Sequence, residues 1–171
     1  KKFLENGAKV ALCGSRQESA DAAVAKLKEE NPDWEVMGIA PKLTDPASVA
    51  EALAQVKEAW GRIDIMGNNA GVSARESIYD YDPEAFRKTI DLNVNAVFYC
   101  SQAAARIMKE QGGGVILNTS SYMALIPATQ KIAYAATKAG IVNMTKTTAG
   151  ELAPLGIRVN CVVPGLIQTP I

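Results

Sequence analysis

The sequence predicts an α/β fold of the doubly wound type, with parallel strands covered by helices on both faces. Strand-like and helix-like segments alternate along the 171 residues, which favours repeated βα units. Most strand-like segments are continuous apolar runs rather than alternating ones, and this is typical of parallel strands buried on both faces. No internal repeat or linker-like stretch interrupts the pattern, so we predict a single domain over residues 1–171.

The first half of the chain supplies three predicted strands and two predicted helices. Apolar residues at helical spacing mark both helices; Asn31-Pro32 ends the first, and Asp45-Pro46 begins the second as N-cap and first-turn proline. Gly7 and Gly61 follow helix ends, where glycine caps are common. The predicted elements are a helix end at 1–6, a strand at 10–13, a helix at 19–30, a strand at 35–40, a helix at 45–60 and a strand at 63–66.

The second half continues the alternation with two long helices. Asp82-Pro83 begins the first of them, and Gly112-Gly113-Gly114 turns the chain into the next strand. Pro154 and Gly156 close the second long helix, which carries Tyr134. The predicted elements are a helix at 82–110, a strand at 115–118, a helix at 133–153 and a strand at 157–163.

The charge balance and hydropathy exclude two classes of partner. Lys and Arg number 18, as do Asp and Glu, so no net charge draws the chain to nucleic acid or to an anionic membrane. No apolar run of about 18 residues or more is present, so no membrane span is predicted.

Cysteine and histidine usage points to a reducing compartment and away from metal chemistry. The three cysteines are odd in number, far apart and in apolar contexts, which predicts free, buried thiols in a cytoplasmic protein. Histidine is absent, which removes imidazole catalysis and the commonest metal ligand. We predict no metal site.

Tyr134 and Lys138 are the first candidates for chemistry. Residues four apart lie on one face of a helix, and a nearby ammonium favours the phenolate form of a tyrosine. Such a pair can transfer a proton. A Tyr and a Lys at this spacing also occur by chance, so the pair by itself proves little.

Polar residues follow four of the predicted strands. In a doubly wound sheet the carboxyl ends of the strands form the ligand crevice, so residues placed there are candidates for binding. Each group by itself could equally be a polar loop. The four groups are Ser15-Arg16, Asn69-Ala70-Gly71, Ser120-Ser121 and Pro164-Gly165.

Taken together, these residues resemble the short-chain dehydrogenase/reductase family. The resemblance runs over essentially the whole chain and includes thirteen residues from Ser121 to Tyr134. Within the family, the stretches 5–10, 41–44 and 91–95 are most similar to bacterial hydroxysteroid (bile-acid) dehydrogenases. The motifs that carry the family resemblance are Asn68-Asn69-Ala70-Gly71, Asn93, Ser121, Tyr134-x-x-x-Lys138 and Pro164-Gly165.

The resemblance implies a Rossmann-type doubly wound sheet that is incomplete in these residues. The family's first strand and Gly-rich phosphate loop would precede Lys1, and its last strand would follow Ile171. The absent first strand would leave two apolar strand edges unpaired. We therefore expect residues 1–171 alone to bind NADP poorly and to fold with little stability.

The resemblance also implies a hydride-transfer mechanism between a secondary alcohol and a ketone. Tyr134 would be the general acid and base, while Lys138 would lower its pKa from about 10 and hold the nicotinamide ribose. Ser121 would stabilise the substrate oxygen. Asn93 would anchor a proton-relay water, although its residue type alone favours a buried side chain that binds backbone. Asn95 is the rival candidate.

Cofactor preference depends on the residues after the first visible strand. By the resemblance, Ser15 stands where NAD-dependent relatives have an acidic residue, and Arg16 could pair with a 2′-phosphate, which favours NADP over NAD. Arg16 could also be an ordinary surface residue. Lys42 and Gly67 depart from the family pattern. The remaining implied cofactor contacts are Leu43, Asn69, Ala70, Gly71, Tyr134, Lys138, Pro164, Gly165, Ile167 and Thr169.

Substrate and assembly stay open at this point. The pocket would be lined partly by residues 73–81 and 122–131, which suits a hydroxysteroid, a 3-oxoacyl thioester or many other ketones. The family commonly forms homodimers or homotetramers through its two long helices, here 82–110 and 133–153. A non-catalytic dinucleotide-binding relative is the alternative reading, and a sugar-nucleotide epimerase is a weaker one.

Overall fold

The computed structural model describes residues 1–167, which form two compact units. The first unit spans Lys1–Arg62 and the second begins at Ile63. Each unit has its own sheet, and every strand pair in the described residues is parallel. The predicted α/β class with parallel strands is confirmed.

The first unit contains a two-stranded sheet and two helices. Asp45 caps the second helix by accepting a hydrogen bond from the Ala47 amide at 3.0 Å, and Gly61 ends it in the left-handed region at φ 79°. The first helix begins two residues before its predicted start because Arg16, in extended backbone, already provides its N-cap. The elements are β1 (Val10–Cys13), α1 (Gln17–Glu30), β2 (Val36–Ile39) and α2 (Pro46–Trp60).

The second unit is built on a three-stranded sheet whose middle strand pairs with a strand on each side. Its two longest helices both pack against that sheet, and the apolar residues buried between the helices and the sheet form the core: Ala104, Met108, Ile116, Ile141 and Ile157. The strand order is β3-β4-β5. The elements are β3 (Ile65–Asn68), α3 (Pro83–Ile90), α4 (Ala96–Glu110), β4 (Gly114–Thr119), α5 (Ile132–Leu152) and β5 (Ile157–Val162).

The helix predicted over residues 82–110 is continuous but changes its winding in the middle. A π-helical segment, Asp91–Asn95, joins α3 to α4, and the Ala96 amide bonds to the carbonyl of Asp91, five residues back. Single π turns inside α-helices occur frequently at functional sites. This one carries Asn93 at its centre, with the side chain fully buried.

Strand β3 lies two residues later than the predicted 63–66. Ile63 is buried as expected, but its amide and carbonyl are bound by the side-chain amide of Gln111 at 3.1 and 2.8 Å. Those backbone groups are therefore paired outside the sheet. The β3–β4 ladder runs instead from Ile65 opposite Val115 to Asn68 opposite Asn118.

The prediction of three buried thiols is wrong for one of them. Cys100 is buried and Cys161 is partly buried, whereas Cys13 is exposed, and none of the three forms a disulfide. Cys13 is the last residue of β1. An apolar sequence context does not by itself bury a residue at the end of a strand.

Candidate active site

Tyr134 and Lys138 lie on the same face of α5, as their spacing predicts. The Lys138 ammonium nitrogen is 5.6 Å from the centre of the Tyr134 ring. Tyr134 is partly exposed, while Lys138 is only 5% exposed. A buried positive charge thus stands beside a phenol that solvent or a ligand can reach.

Lys138 is fixed to the end of β4 by two hydrogen bonds in opposite directions. Its ammonium donates to the carbonyl of Thr119 at 2.7 Å, and the Ser120 hydroxyl donates to the carbonyl of Lys138, also at 2.7 Å. Burial lowers the pKa of Lys138, and the Coulombic influence of Cys161 partly offsets this. The end of β4 therefore sets the position of the charge next to Tyr134.

Ser121 follows directly and caps a short 3-10 turn, Tyr122–Ala124. Its hydroxyl oxygen accepts a hydrogen bond from the Met123 amide at 3.3 Å, which leaves the hydroxyl proton available for another acceptor. The amide of Tyr122 donates to the carbonyl of Pro164 at 2.9 Å. The segment that follows β4 is thus in contact with the segment that follows β5.

Asn93 binds the loop that follows β3. Its side-chain oxygen accepts from the Val72 amide at 2.8 Å, and its nitrogen donates to the Val72 carbonyl at 2.9 Å and to the Thr137 hydroxyl at 3.1 Å. This is the backbone-binding role that residue type alone suggests. The proton-relay role stays a prediction. Within residues 1–167, the side chain of Asn95, the rival, hydrogen-bonds only to the Asp91 carboxylate, at 2.8 Å.

Gly71 brings the loop close to both Asn93 and Lys138. A Cβ atom added at Gly71 would lie 3.1 Å from the Asn93 side-chain oxygen and 3.6 Å from the Lys138 nitrogen. The first of these distances is tighter than ordinary van der Waals contact. The loop after β3 therefore lies close to Lys138, and Asn69 and Ala70 in the same loop are exposed.

Four buried polar side chains form a network for which the sequence predicts no role, although one of them, Asn68, belongs to the Asn68-Asn69-Ala70-Gly71 motif. The Asn68 side-chain nitrogen donates to Ser101 at 3.0 Å and to the Asn118 oxygen at 2.8 Å, and Asn118 in turn donates to Thr145 at 2.9 Å. The network joins β3, β4, α4 and α5. Its sequence signal is an asparagine at the end of one apolar strand and another one residue before the end of the next, and these asparagines pair in register.

The first unit holds the residues predicted to select the cofactor. Ser15 and Arg16 are exposed at the end of β1, and within residues 1–167 the Arg16 side chain has no hydrogen-bond or ion-pair partner. At Gly14, a Cβ would lie 2.8 Å from the Ser19 hydroxyl, which shows how tightly the chain turns into α1. Leu43 is partly buried, and its neighbour Lys42 is exposed.

The remaining predicted contacts lie just after β5. Pro164 is partly buried, whereas Gly165 and Ile167 are exposed. Thr169 lies outside the described residues. Over residues 1–167, no group of three or more His, Cys, Asp or Glu residues is placed to hold a metal ion. In the same range, no helix has the length and apolarity needed to cross a membrane.

Comparison with known proteins identifies relatives along the entire chain. A family model described as short chain dehydrogenase matches residues 1–171. A 3alpha-hydroxysteroid dehydrogenase from Mediterraneibacter gnavus is 53% identical over 169 residues, covering 99% of this chain and 68% of that protein. A levodione reductase from Leifsonia aquatica is 34% identical, covering 99% of this chain and 64% of that protein.

Comparison with solved structures also identifies relatives along nearly the whole chain. A short-chain dehydrogenase/reductase from Burkholderia xenovorans matches with a TM-score of 0.92 at 32% identity, covering 99% of this chain and 66% of the other. A gluconate 5-dehydrogenase from Burkholderia cenocepacia, in complex with NADP and tartrate, matches with a TM-score of 0.91 at 28% identity, covering 98% and 66%. The chain therefore spans about two thirds of the length of these relatives.

Proposed function

Because the chain belongs to the short-chain dehydrogenase/reductase family, we propose that it interconverts a secondary alcohol and a ketone by hydride transfer with a nicotinamide dinucleotide. The observation that carries the proposal is the Tyr134–Lys138 pair. The ammonium is buried, hydrogen-bonded to Thr119 and 5.6 Å from the phenol ring centre. A phenol held beside a fixed positive charge is suited to giving and taking a proton.

In ketone reduction, Tyr134 donates its phenolic proton to the substrate oxygen, and in alcohol oxidation it accepts that proton. Lys138 stabilises the phenolate that remains, since opposite charge favours the ionised form. The Ser121 hydroxyl donates a hydrogen bond to the same substrate oxygen as negative charge develops there. Asn93 keeps Gly71 and the following residues close to Lys138 through its two bonds to Val72.

The residues present suit a dinucleotide. In the first unit, the end of β1 offers the guanidinium of Arg16, which has no partner within residues 1–167, and neither position 15 nor position 16 carries an acidic side chain that would repel a phosphate. In the second unit, exposed residues follow β3 and β5. When bound, the nicotinamide supplies the hydride acceptor or donor. We propose NADP as the preferred form, with NAD as the alternative. Leu43, Asn69, Ala70, Gly71, Lys138, Pro164, Gly165, Ile167 and Thr169 are the further proposed contacts.

We propose a ketone or alcohol with a broad apolar surface as the substrate. The segment between β4 and α5 exposes Leu125 (71%) and Ile126 (59%), and the loop after β3 exposes Ile78 (67%). A hydroxysteroid would cover such surfaces, and the relative at 53% identity is a 3alpha-hydroxysteroid dehydrogenase. A 3-oxoacyl thioester is the second candidate.

We propose that the protein forms a homodimer or homotetramer, as the family commonly does, and that it is located in the cytoplasm. Phe98 on α4 is 48% exposed, and α5 exposes small residues including Ala136 and Gly140. These surfaces suit pairing of two copies through the long helices, as a homodimer or within a homotetramer. Three cysteines outside disulfides suit a reducing compartment such as the cytoplasm.

A ketone-reduction assay tests the proposal. The full-length protein is mixed with NADPH and a panel of ketones, and oxidation of the reduced nicotinamide is followed by absorbance. We expect turnover on at least one bulky ketone and a loss of about a hundredfold or more in Tyr134→Phe, because proton transfer by a positioned side chain contributes on that order. Equal inactivity of both proteins over a broad panel would favour the non-catalytic dinucleotide-binding alternative.

The cofactor proposal has a separate test in Arg16→Ala. Losing one charge-assisted contact should weaken NADPH binding by about tenfold or more and leave NADH binding nearly unchanged. Lys26→Ala is the matched control, since it removes an exposed positive charge from the same helix. Equal weakening of NADPH and NADH by Arg16→Ala would contradict a 2′-phosphate contact.

A further inference from the structure

The loop between β3 and α3, residues 69–82, is attached to the rest of the second unit by side chains from two directions. Asn93 holds it at Val72, as described above. One and two residues further along, Lys131 donates hydrogen bonds from its ammonium to the Ser73 hydroxyl at 2.9 Å and to the Ala74 carbonyl at 3.1 Å. The Glu76 amide then donates to the carbonyl of Gln130 at 3.0 Å. We call the contacts made by residues 130 and 131 the clasp.

The clasp belongs to the same backbone that begins the Tyr134 helix. Lys131 is the N-cap residue of α5, and its carbonyl accepts the first helical hydrogen bond, from Ala135 at 2.8 Å. Gln130 has φ 60°, the only non-glycine residue with a positive φ among residues 1–167. Such a conformation is uncommon outside glycine and persists where surrounding contacts fix it. Here it directs the Gln130 carbonyl to Glu76.

The Lys131 ammonium is hydrogen-bonded to neutral groups. Its partners are a hydroxyl and a backbone carbonyl, and within residues 1–167 it forms no salt bridge. Lys131 is partly buried as a residue. Hydrogen bonds from a charged donor are stronger than neutral ones and are directional. The arrangement therefore fixes the distance between the loop and the start of α5.

We propose that Lys131 is a positioning residue for substrate selection: through the clasp it holds the β3–α3 loop against the start of the Tyr134 helix. This inference rests on the proposed function, because it assigns the loop to the substrate side of that site. The loop carries Val72 (45% exposed), Ile78 (67%) and Tyr79 (84%). A polycyclic ketone wide enough to reach these side chains depends on where the clasp places them. A small ketone, which needs only Ser121 and Tyr134, does not.

Substrate kinetics of Lys131→Met in the full-length protein test the proposal. Methionine keeps most of the side-chain length but removes all the donors. We expect kcat/KM for a polycyclic ketone to fall about tenfold, mainly through KM, because a hydrogen bond from a charged group is lost. For a small aliphatic ketone we expect a change below about twofold, since the Tyr134–Lys138–Ser121 group is untouched. Lys131→Arg, which keeps the donors, should restore most of the loss.

Lys146→Met is the matched control, because Lys146 is an exposed lysine on the same helix. It should leave kcat/KM for both ketones unchanged. Equal effects of Lys131→Met on the small and the polycyclic ketone, or no effect on either, would overturn the proposal.

Amide hydrogen exchange separates this inference from the proposed function, since it needs no substrate. In Lys131→Met, exchange should speed up about tenfold in residues 73–77 and stay unchanged in β4. If exchange rises but the wild-type protein reduces no ketone, the clasp stands and the proposed function falls. If exchange in residues 73–77 does not change, Lys131 does not hold the loop and the inference is wrong.

Discussion

Removing the Asn93 side chain should cost far more stability than removing that of Asn95, two residues away. Asn93 is fully buried and makes three hydrogen bonds, two to Val72 and one to Thr137. A side-chain hydrogen bond contributes about 0.5–1.5 kcal/mol net, and the Val72 groups left unpaired raise the cost of losing it. We therefore expect Asn93→Ala to lower the free energy of unfolding by about 3 kcal/mol.

Asn95 provides the matched control for this prediction. It makes one partly buried hydrogen bond, to Asp91, so Asn95→Ala should cost about 1 kcal/mol or less. Asn93→Asp adds a second comparison. The carboxylate would place an oxygen against the Val72 carbonyl where Asn93 now places an N–H donor, so at neutral pH this variant should lose at least as much stability as Asn93→Ala.

Urea denaturation followed by circular dichroism measures both losses, using the shift in midpoint at constant m value. Hydrogen exchange at the Val72 amide provides a local check and should accelerate in Asn93→Ala only. If Asn93→Ala and Asn95→Ala are destabilised within about 0.5 kcal/mol of each other, Asn93 does not secure the loop after β3.

Three further substitutions test the energetics of the site. Burial lowers the pKa of Lys138 in the folded protein. Between the folded and the unfolded pKa, the unfolded chain therefore keeps the Lys138 proton and the folded protein does not, so the free energy of unfolding should rise with pH. The unfolding free energy of wild type relative to Lys138→Met, measured at increasing alkaline pH, should shift in favour of wild type; a constant difference would contradict this. Gly71→Ala should lower kcat/KM about tenfold because the added methyl would press on the Asn93 side-chain oxygen at 3.1 Å. Gly67→Ala, where an added methyl has nothing within 4 Å, should leave kcat/KM unchanged. Equal kinetics for the two variants would contradict this effect of Asn93. Asn118→Ala should lower the free energy of unfolding, measured in urea, by about 2 kcal/mol, because two buried hydrogen bonds are lost. Asn160 is exposed, so Asn160→Ala should leave that free energy nearly unchanged. An equally small change in Asn118→Ala would show that the polar network adds little stability.

Most of the helices and strands could be predicted because local signals and packing agree. The bounds of β1 and α2 match the sequence expectation, since an apolar run before Gly14 and the Asp45-Pro46 start are unambiguous. The start of β3 could not be predicted. Ile63 has the composition of a strand residue, but the side chain of Gln111, 48 residues away in sequence, takes its backbone hydrogen bonds.

The candidate site likewise includes contacts that the sequence predicts and contacts that it does not. Spacing within one helix places Tyr134 beside Lys138, so sequence alone could pair them. The π-helical segment around Asn93 has no proline or glycine to announce it. Nor does the sequence reveal that Asn93 binds the backbone at Val72, because that contact depends on how α3 and α4 lie against the loop. The cofactor and catalytic roles stay predictions.

Deuterium transfer shows whether hydride passes directly from the nicotinamide to the substrate with Tyr134 as the proton donor. The full-length protein is incubated with a polycyclic ketone and NADPH carrying deuterium at the transferable nicotinamide position, and the alcohol product is examined by mass spectrometry. Direct hydride transfer with proton donation by Tyr134 predicts one deuterium on the carbinol carbon, formed at least about a hundredfold more slowly by Tyr134→Phe. Alcohol that forms without deuterium, or at the wild-type rate in Tyr134→Phe, would contradict the mechanism.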